Sequence, residues 1–302
     1  IWILDDISPL QQLDKKIEKE NFHLFDIKPS YRFQNVTSSL QMFPEASTGE
    51  DPPEGASINY WLKEKNDNVQ IVITDKKNDT IKTISDKGHK GINRIWWDFS
   101  GEKTRDIIFR TKPLYAEWFP LDENRERKGA EGFSIQSPPG TYNVSLNING
   151  KTITKKLEVI KDPNSEGTID DILLQNDLVR EVYKDLNLTI SHINTIEKIR
   201  RQLLDLKITF KNTKQKSEII SLVEKLESKF LNLELKFVQL KITGKGQDAV
   251  RYEKKLLEKL AYLASNIQIS DFKPANSYLE VHQILRERLV LAEKELNKLI
   301  NF

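Results

Sequence analysis

The stretch TYNVSLNINGKTITKKLEVIKDPNSEGTIDDILLQ, residues 141–175, decides the fold class. Tyr142, Val144, Leu146 and Ile148 alternate with polar residues, the period-two pattern of a strand with one buried face. Asn149-Gly150 follows, and residues 152–159 form a second extended run. Asn-Gly between two such runs marks a two-residue hairpin, because both positions of that turn take positive φ. Lys161 to Gly167 then carries the turn chemistry of a domain junction. Thr168 supplies a hydroxyl cap, and Asp170 and Asp171 place acid at the positive end of a helix dipole. From Ile172 the apolar residues recur at helical spacing. The chain therefore reads as β before the junction and α after it.

Upstream, more short runs read as strands: SINYWL (57–62), VQIVIT (69–74), TIKTI (80–84), INRIWWDF (92–99) and GFSI (132–135). Lys76 to Asp79 has the composition of a hairpin turn. Short strands at this spacing predict a β-sandwich of immunoglobulin-like type. Trp97 and Phe99 fall on one strand face and Trp96 on the other, and aromatics so placed usually fill a core. In PPGTY (138–142), proline fixes φ and glycine supplies freedom for a tight entry into the next strand. Two stretches break the pattern. Residues 44–55 look like a linker, and residues 101–131 read as a long loop between two strands of the sandwich, with a highly charged part at 121–129.

Downstream, Ile172, Val179, Val182, Leu186, Ile190, Ile193, Ile199, Leu203 and Leu206 form one long amphipathic run. Ile219, Val223, Leu226, Phe230, Leu233, Phe237 and Leu240 repeat at steps of four and three, and Gly244 and Gly246 are expected to end that helix. Tyr252 to Leu263 and Tyr278 to Leu299 give two more helices, separated by a break at Asp271 to Pro274. Short connections make neighbouring helices antiparallel, so the four stripes predict a four-helix bundle. Through residue 167 lie all five Trp, ten of eleven Pro and ten of twelve Gly, which supports a boundary near residue 162. The expected organisation is a linker at 1–20, the sandwich at 21–161 and the bundle at 162–302.

Composition narrows the chemistry. Lys and Arg number 47 against 45 Asp and Glu, a balance unlike the clustered basic excess of a nucleic-acid binder. With no cysteine, disulfides and thiolate metal sites are excluded. No stretch approaches the roughly 20 apolar residues of a membrane span. His23, His89, His192 and His282 are isolated in sequence, without metal-ligand spacing, and His192 and His282, beside the apolar helical stripes, read as core-edge residues. Asp5-Asp6 reads as a turn or capping pair, because adjacent strand residues point to opposite faces. No catalytic residue, cofactor or metal is assigned. A chain that opens on Ile1 is expected to be cut from something longer.

The opening IWILDDISPL (1–10) resembles the exit from the last blade of sortilin-like, BNR-repeat β-propellers labelled glycosyl-hydrolase or exo-sialidase-like. Further matches are His23-Leu-Phe25, Tyr31-Arg32, Pro52-Pro-Glu-Gly55, Tyr60-Trp-Leu62, Gly91 to Arg94 with Trp97-Asp98, and Pro139 to Tyr142. Ser270-Asp271 and Pro274 match the helical tail of such chains, and the order of these short motifs is more specific than any one of them. The Trp-Asp and Pro-Gly-Thr-Tyr pair also resembles the immunoglobulin-like module of flagellar hook-capping proteins. The resemblance implies an exported protein, periplasmic, surface-bound or secreted, whose propeller lies upstream and holds any active site. It carries no catalytic residue onto this chain.

Three functional readings follow. The chain is an accessory module packing on the upstream propeller of the same polypeptide, with Trp2 and Leu4 at the junction and residues 1 to 20 loosely held. Alternatively, the sandwich binds carbohydrate or a protein through exposed tryptophans, Trp96 and Trp118 being the candidates. The third reading is a hydrolase acting through carboxylates of the 101–131 loop. Homodimerisation through the helical seam is compatible with any of these.

Overall fold

The computed structural model describes residues 6–33, 53–116, 118–122, 124–212, 216–243 and 247–301. Trp2, Leu4, Asp5, most of the 44–55 linker, Gly244 and Gly246 lie outside the described residues. The chain is β-rich at first and helical afterwards. In chain order it forms α1 (Ser8–Gln12), β1 (Phe22–Leu24), β2 (Ser30–Arg32), β3 (Ala56–Leu62), β4 (Asn66–Thr74), β5 (Thr80–Gly88), β6 (Gly91–Trp97), β7 (Ser100–Lys103), β8 (Ile108–Phe109), β9 (Arg127–Lys128), β10 (Ser134–Gln136), β11 (Gly140–Ile148) and β12 (Lys151–Lys161). The helices that follow are α2 (Ile169–Thr209), α3 (Lys216–Phe237), the short α4 (Asp248–Arg251), α5 (Leu256–Ile267) and α6 (Asn276–Ile300).

Two compact units result. The first comprises Ile1–Glu102, Ile135–Asn176 and Ile269–Lys273, and the second Lys103–Ser134, Asp177–Gln268 and Pro274–Phe302. The chain thus leaves and re-enters each unit, where the sequence suggested one boundary near 162.

In the first unit β1-β3-β6 form a three-stranded antiparallel sheet, and β2-β12-β11-β4-β5 a five-stranded one in which only the β12–β2 pair is parallel. One hydrophobic cluster draws on both sheets, including Ile58, Tyr60 and Trp97 from one and Ile71, Val144, Leu146 and Leu157 from the other. Trp97, 1% exposed, meets Phe99 and Tyr142 edge-on at 5.4 and 5.2 Å, and its indole N–H donates to Ser100 O at 2.9 Å. Such pairing contributes beyond area burial. The Tyr142 hydroxyl donates to Pro138 O at 2.6 Å and closes the tight entry to β11. Asn149 and Gly150 take φ of 50° and 79°, as the turn between β11 and β12 requires. At Gly55, φ is +113° and a Cβ would lie 2.0 Å from the Trp97 carbonyl oxygen, so only glycine fits against β6.

The N-terminal residues were expected to hang loosely, but residues 6–29 are tied to the sheet. Asp6 accepts bonds from Ser8 N at 3.0 Å and the Ser57 hydroxyl at 3.1 Å, and it pairs with Lys28 at 2.9 Å. Burial opposes its charge, yet these bonds with Ser8, Lys28 and Ser57 hold its carboxyl well below the usual carboxylate range. The Arg94 guanidinium donates to Asp6 O at 2.8 Å, and Ile17 is buried. The turn-or-capping expectation for Asp6 is met as a turn, its carboxylate accepting the amide two residues on, and its bonds with Ser57 and Arg94 add a cross-link to β3 and β6. Further along, Arg32 and Asp271 form a buried ion pair at 2.7 Å. At the start of α2, Thr168 Oγ1 accepts the Asp171 amide and Asp171 accepts that of Thr168, a reciprocal cap.

In the second unit α3, α5 and α6 pack on one another. Their buried residues, such as Val223, Phe230, Leu233, Leu260, Leu285 and Leu289, follow the seams read from the sequence. The segment Lys103–Ser134 belongs to this unit and not to the three- and five-stranded sheets. Its β8 and β9 pair with each other, and Ile107, Phe109 and Ala116 are buried. The loop expected between two strands is therefore a strap laid on helices.

Candidate binding groove

The strap is held by a polar ladder on α2. The Tyr183 hydroxyl donates to Lys103 O at 3.3 Å, and Arg105 N donates to Asn187 Oδ1 at 3.0 Å. Asn194 accepts from Ile108 N at 2.8 Å and donates to Asp106 O at 2.9 Å. Glu197 accepts the amides of Arg110 and Thr111, the latter at 2.7 Å, and Arg201 donates to Arg110 O at 3.3 Å. The geometry is commensurate. From 183 to 201 a helix rises roughly 27 Å, and from 103 to 110 an extended chain covers roughly 24 Å. An extended segment can therefore run alongside one helix face, with its backbone bonded at intervals by side chains spaced in helical steps.

Below the ladder lies a buried ion cluster. Arg200 is 2.7 Å from Glu234 on α3, 2.8 Å from Glu227 and 3.4 Å from Glu197. Its guanidinium also donates to Thr111 Oγ1 at 3.1 Å, and Thr111 Oγ1 donates to Glu197 at 2.7 Å. The strap at 110–111 is thus locked to both α2 and α3. Burial raises the Glu234 carboxyl well above the ordinary glutamate range, and the neighbouring Glu197 adds to the rise.

Beyond the lock, the strap and the last turns of α2 frame an open groove of about 510 Å³. Trp118, Phe119, Pro120, Leu121, Leu204 and Ile208 supply its apolar lining, and Arg110, Lys112, Arg125, Arg201 and Lys207 its cations. That volume is within the usual range for small-ligand sites. Trp118 is 68% exposed and Ile208 66%. Several of the cations are held by carboxylates: Arg110 by Glu126 at 2.8 Å, Arg125 and Arg201 both by Asp205, and Lys207 by Glu224 at 2.5 Å. Behind Phe119, the Arg127 guanidinium lies 4.3 Å over the Phe109 ring. Burial lowers its pKa, and the charge of Glu197 opposes this.

The sequence candidates are dispersed. Trp118 lines the groove, whereas Trp96 is half-buried on β6 in the first unit, opposite Ser57. Trp2 and Leu4 lie outside the described residues. The strap's described carboxylates are separately occupied: Asp106 faces Lys128 at 3.8 Å, Asp122 accepts the Glu126 amide at 2.7 Å, and Glu131 pairs with Lys103. His282 is buried against Asp185 at 2.8 Å, and His192 packs on Phe237 with ring centres 5.6 Å apart. Burial holds the His192 pKa below its ordinary value despite the opposing charge of Glu293. Among the described residues, no group of three or more His, Asp or Glu could hold a metal, and no helix is long and apolar enough to cross a membrane. Sequence reasoning missed the ladder and the Arg200 cluster. The spacing of Tyr183, Asn187, Asn194, Glu197 and Arg201 along one helix face was the available signal.

Set beside known proteins, the chain matches no family model and no curated protein.

Proposed function

We propose that this chain is a non-catalytic accessory module that binds or assembles through the helical half, as part of an exported protein with a propeller upstream. One observation carries the reading: an exposed Trp118 beside an apolar groove, on a strap that the α2 ladder holds at residues 103–111 and that Arg125 ties to Asp205 beyond it. A strap so held loses little conformational freedom on binding, which favours recognition. In this reading the two sheets form an immunoglobulin-like sandwich. Support comes from their shared core and from the Tyr142 hydroxyl bonded back to Pro138, a corner known in such folds. The helices form an antiparallel four-helix bundle, a reading supported by the packing of α3, α5 and α6 and the buried seam of α2. The propeller, the export and the Trp2–Leu4 junction rest on the sequence resemblance alone.

The test is cross-linking with mass spectrometry on the longest polypeptide the coding region encodes. Expected are links from Lys112 and Lys207 to another part of the protein or to a partner, reduced by Trp118→Ala. If both lysines link only within this chain, the reading fails. A second reading, carbohydrate binding, is favoured by Trp118 as an exposed stacking ring. It predicts quenching of tryptophan fluorescence by neutral oligosaccharides in the parent and none in Trp118→Ala.

A further inference from the structure

Where α3, α5 and α6 pack on one another, they frame a cavity of about 360 Å³ that shares no lining residue with the Trp118 groove. Its apolar lining is Leu235, Leu256, Leu285, Leu291 and Ala292. Leu256, Leu285 and Ala292 are buried, whereas Leu291 is 61% exposed, so apolar surface continues from the floor out to solvent. One wall is held by side-chain bonds. Glu258 accepts the Lys255 amide at 2.8 Å and the Gln239 amide at 3.1 Å, and Gln239 donates to Glu253 O at 2.7 Å. The turn at 253–258, which carries Glu253, Lys255 and Leu256, is thereby pinned to the chain just after α3.

The rest of the lining is charged: Lys236, Lys255, Lys259 and Arg288 against Glu253 and Glu295. Both carboxylates are already occupied. Glu295 receives Lys236 with both oxygens at 2.7 Å, and the two oxygens of Glu253 take Lys255 at 2.9 Å and Lys259 at 3.1 Å. Among the described residues, no acceptor answers Arg288.

We propose that this cavity binds a small amphipathic anion, a monomeric carboxylate on a medium-length hydrocarbon chain, with its head on Arg288 and its chain against Leu256, Leu285 and Ala292. Charge selects the head. A cationic ligand would have to displace a lysine from Glu253 or Glu295, whereas an anion completes Arg288 and displaces nothing. A guanidinium matches a carboxylate with two parallel N–H donors. An exposed ion pair alone contributes little, so the affinity comes from withdrawing the chain from water onto the apolar floor. Volume selects the length. At roughly 30 Å³ for each small group, the share of one water molecule, the cavity holds about a dozen non-hydrogen atoms. That is the size of decanoate.

Decanoate is therefore the probe, kept below the concentration at which it forms micelles. Titrated into the full chain with labelled leucine and alanine methyls, it should shift the methyls of Leu256, Leu285, Leu291 and Ala292 and saturate at one ligand per chain. Decyltrimethylammonium, with the same chain and opposite charge, should bind about tenfold more weakly or worse. Decanoate should lose about the same factor in Arg288→Gln, as expected for one charge-assisted contact. Trp118→Ala should leave the titration unchanged, which separates this site from the groove. Equal binding of the two amphiphiles, or full affinity in Arg288→Gln, would overturn the proposal. So would an acidic leucine-rich peptide that shifts these methyls where decanoate does not, since the cavity would then be a protein contact. Arg288 is exposed, and its replacement should leave folding intact. Should the variant nonetheless not fold, the parent's methyl map decides: shifts confined to this lining uphold the site, and scattered or absent shifts refute it.

Discussion

Both units bury apolar side chains, but among the described residues the first encloses a single ion pair, Arg32–Asp271, and the helical unit a charged network around Arg200. The cluster shared by the sheets is built from aliphatic and aromatic side chains, with Trp97, Tyr60 and Tyr142 at its large positions. The helical unit encloses Glu197, Glu234, Arg200, Asp185 and His282, each less than 10% exposed. An apolar cluster tolerates changes of pH and is sensitive to lost volume. An ionic interior is sensitive to lost partners, because an unpaired buried charge keeps its full desolvation penalty. The polar interior also does something apolar packing cannot: it satisfies an irregular backbone strap whose amides would otherwise be buried without partners.

Arg200→Ala should have the largest effect, about 3–5 kcal/mol, because three carboxyls lose their one shared cation. The helical circular-dichroism signal under urea should report it, with tryptophan fluorescence from the first unit shifting less. Leu146→Ala should remove about 2–4 kcal/mol from the sheet unit through the cavity it leaves, with the two signals reversed in order. If both variants moved both signals together, the units would not be separable and the comparison would collapse. Thr111→Val should cost about 1–2 kcal/mol, since it deletes the hydroxyl between Glu197 and Arg200 and keeps the shape. His192 gives an acid limb. Its folded pKa lies below the ordinary 6.5, so its contribution is present above that pH and lost as pH falls through the folded value. Melting curves of the parent and His192→Gln should therefore diverge on acidification and keep a constant gap at neutral pH. Trp118→Ala should change stability by less than about 0.5 kcal/mol, as expected of an exposed residue, while altering the groove.

The sequence was legible where one side of an element is apolar and the other polar. The alternation 142/144/146/148, the Asn149-Gly150 turn and the stripes on α2, α3 and α6 name their elements, because burial on one face imposes a period. Two features escaped. The 6–29 segment has little period of its own and is held by side-chain bonds to distant strands, through Asp6, Ser57 and Arg94. The strap looked like a loop because its backbone partners are side chains of α2 and not another strand. Asn187, Asn194 and Glu197 are residue types that also populate solvated helix faces, so composition does not tell a ladder from a wet surface. Glu227 and Glu234, seven apart beside the α3 seam, resemble ordinary flanking charges until Arg200 is placed against them.

Because Lys103–Ser134 belongs with the helices although it is spelled between β7 and β10, genetic excision at the β–α junction would not isolate the helical unit. A fragment begun at residue 162 would carry the α2 ladder with nothing to grip and a carboxylate at Glu197 stripped of its amide donors. A workable minimal gene would graft the strap back by a new linker, and whether such a permuted chain folds is a direct measure of how much the helices owe to a segment written far upstream.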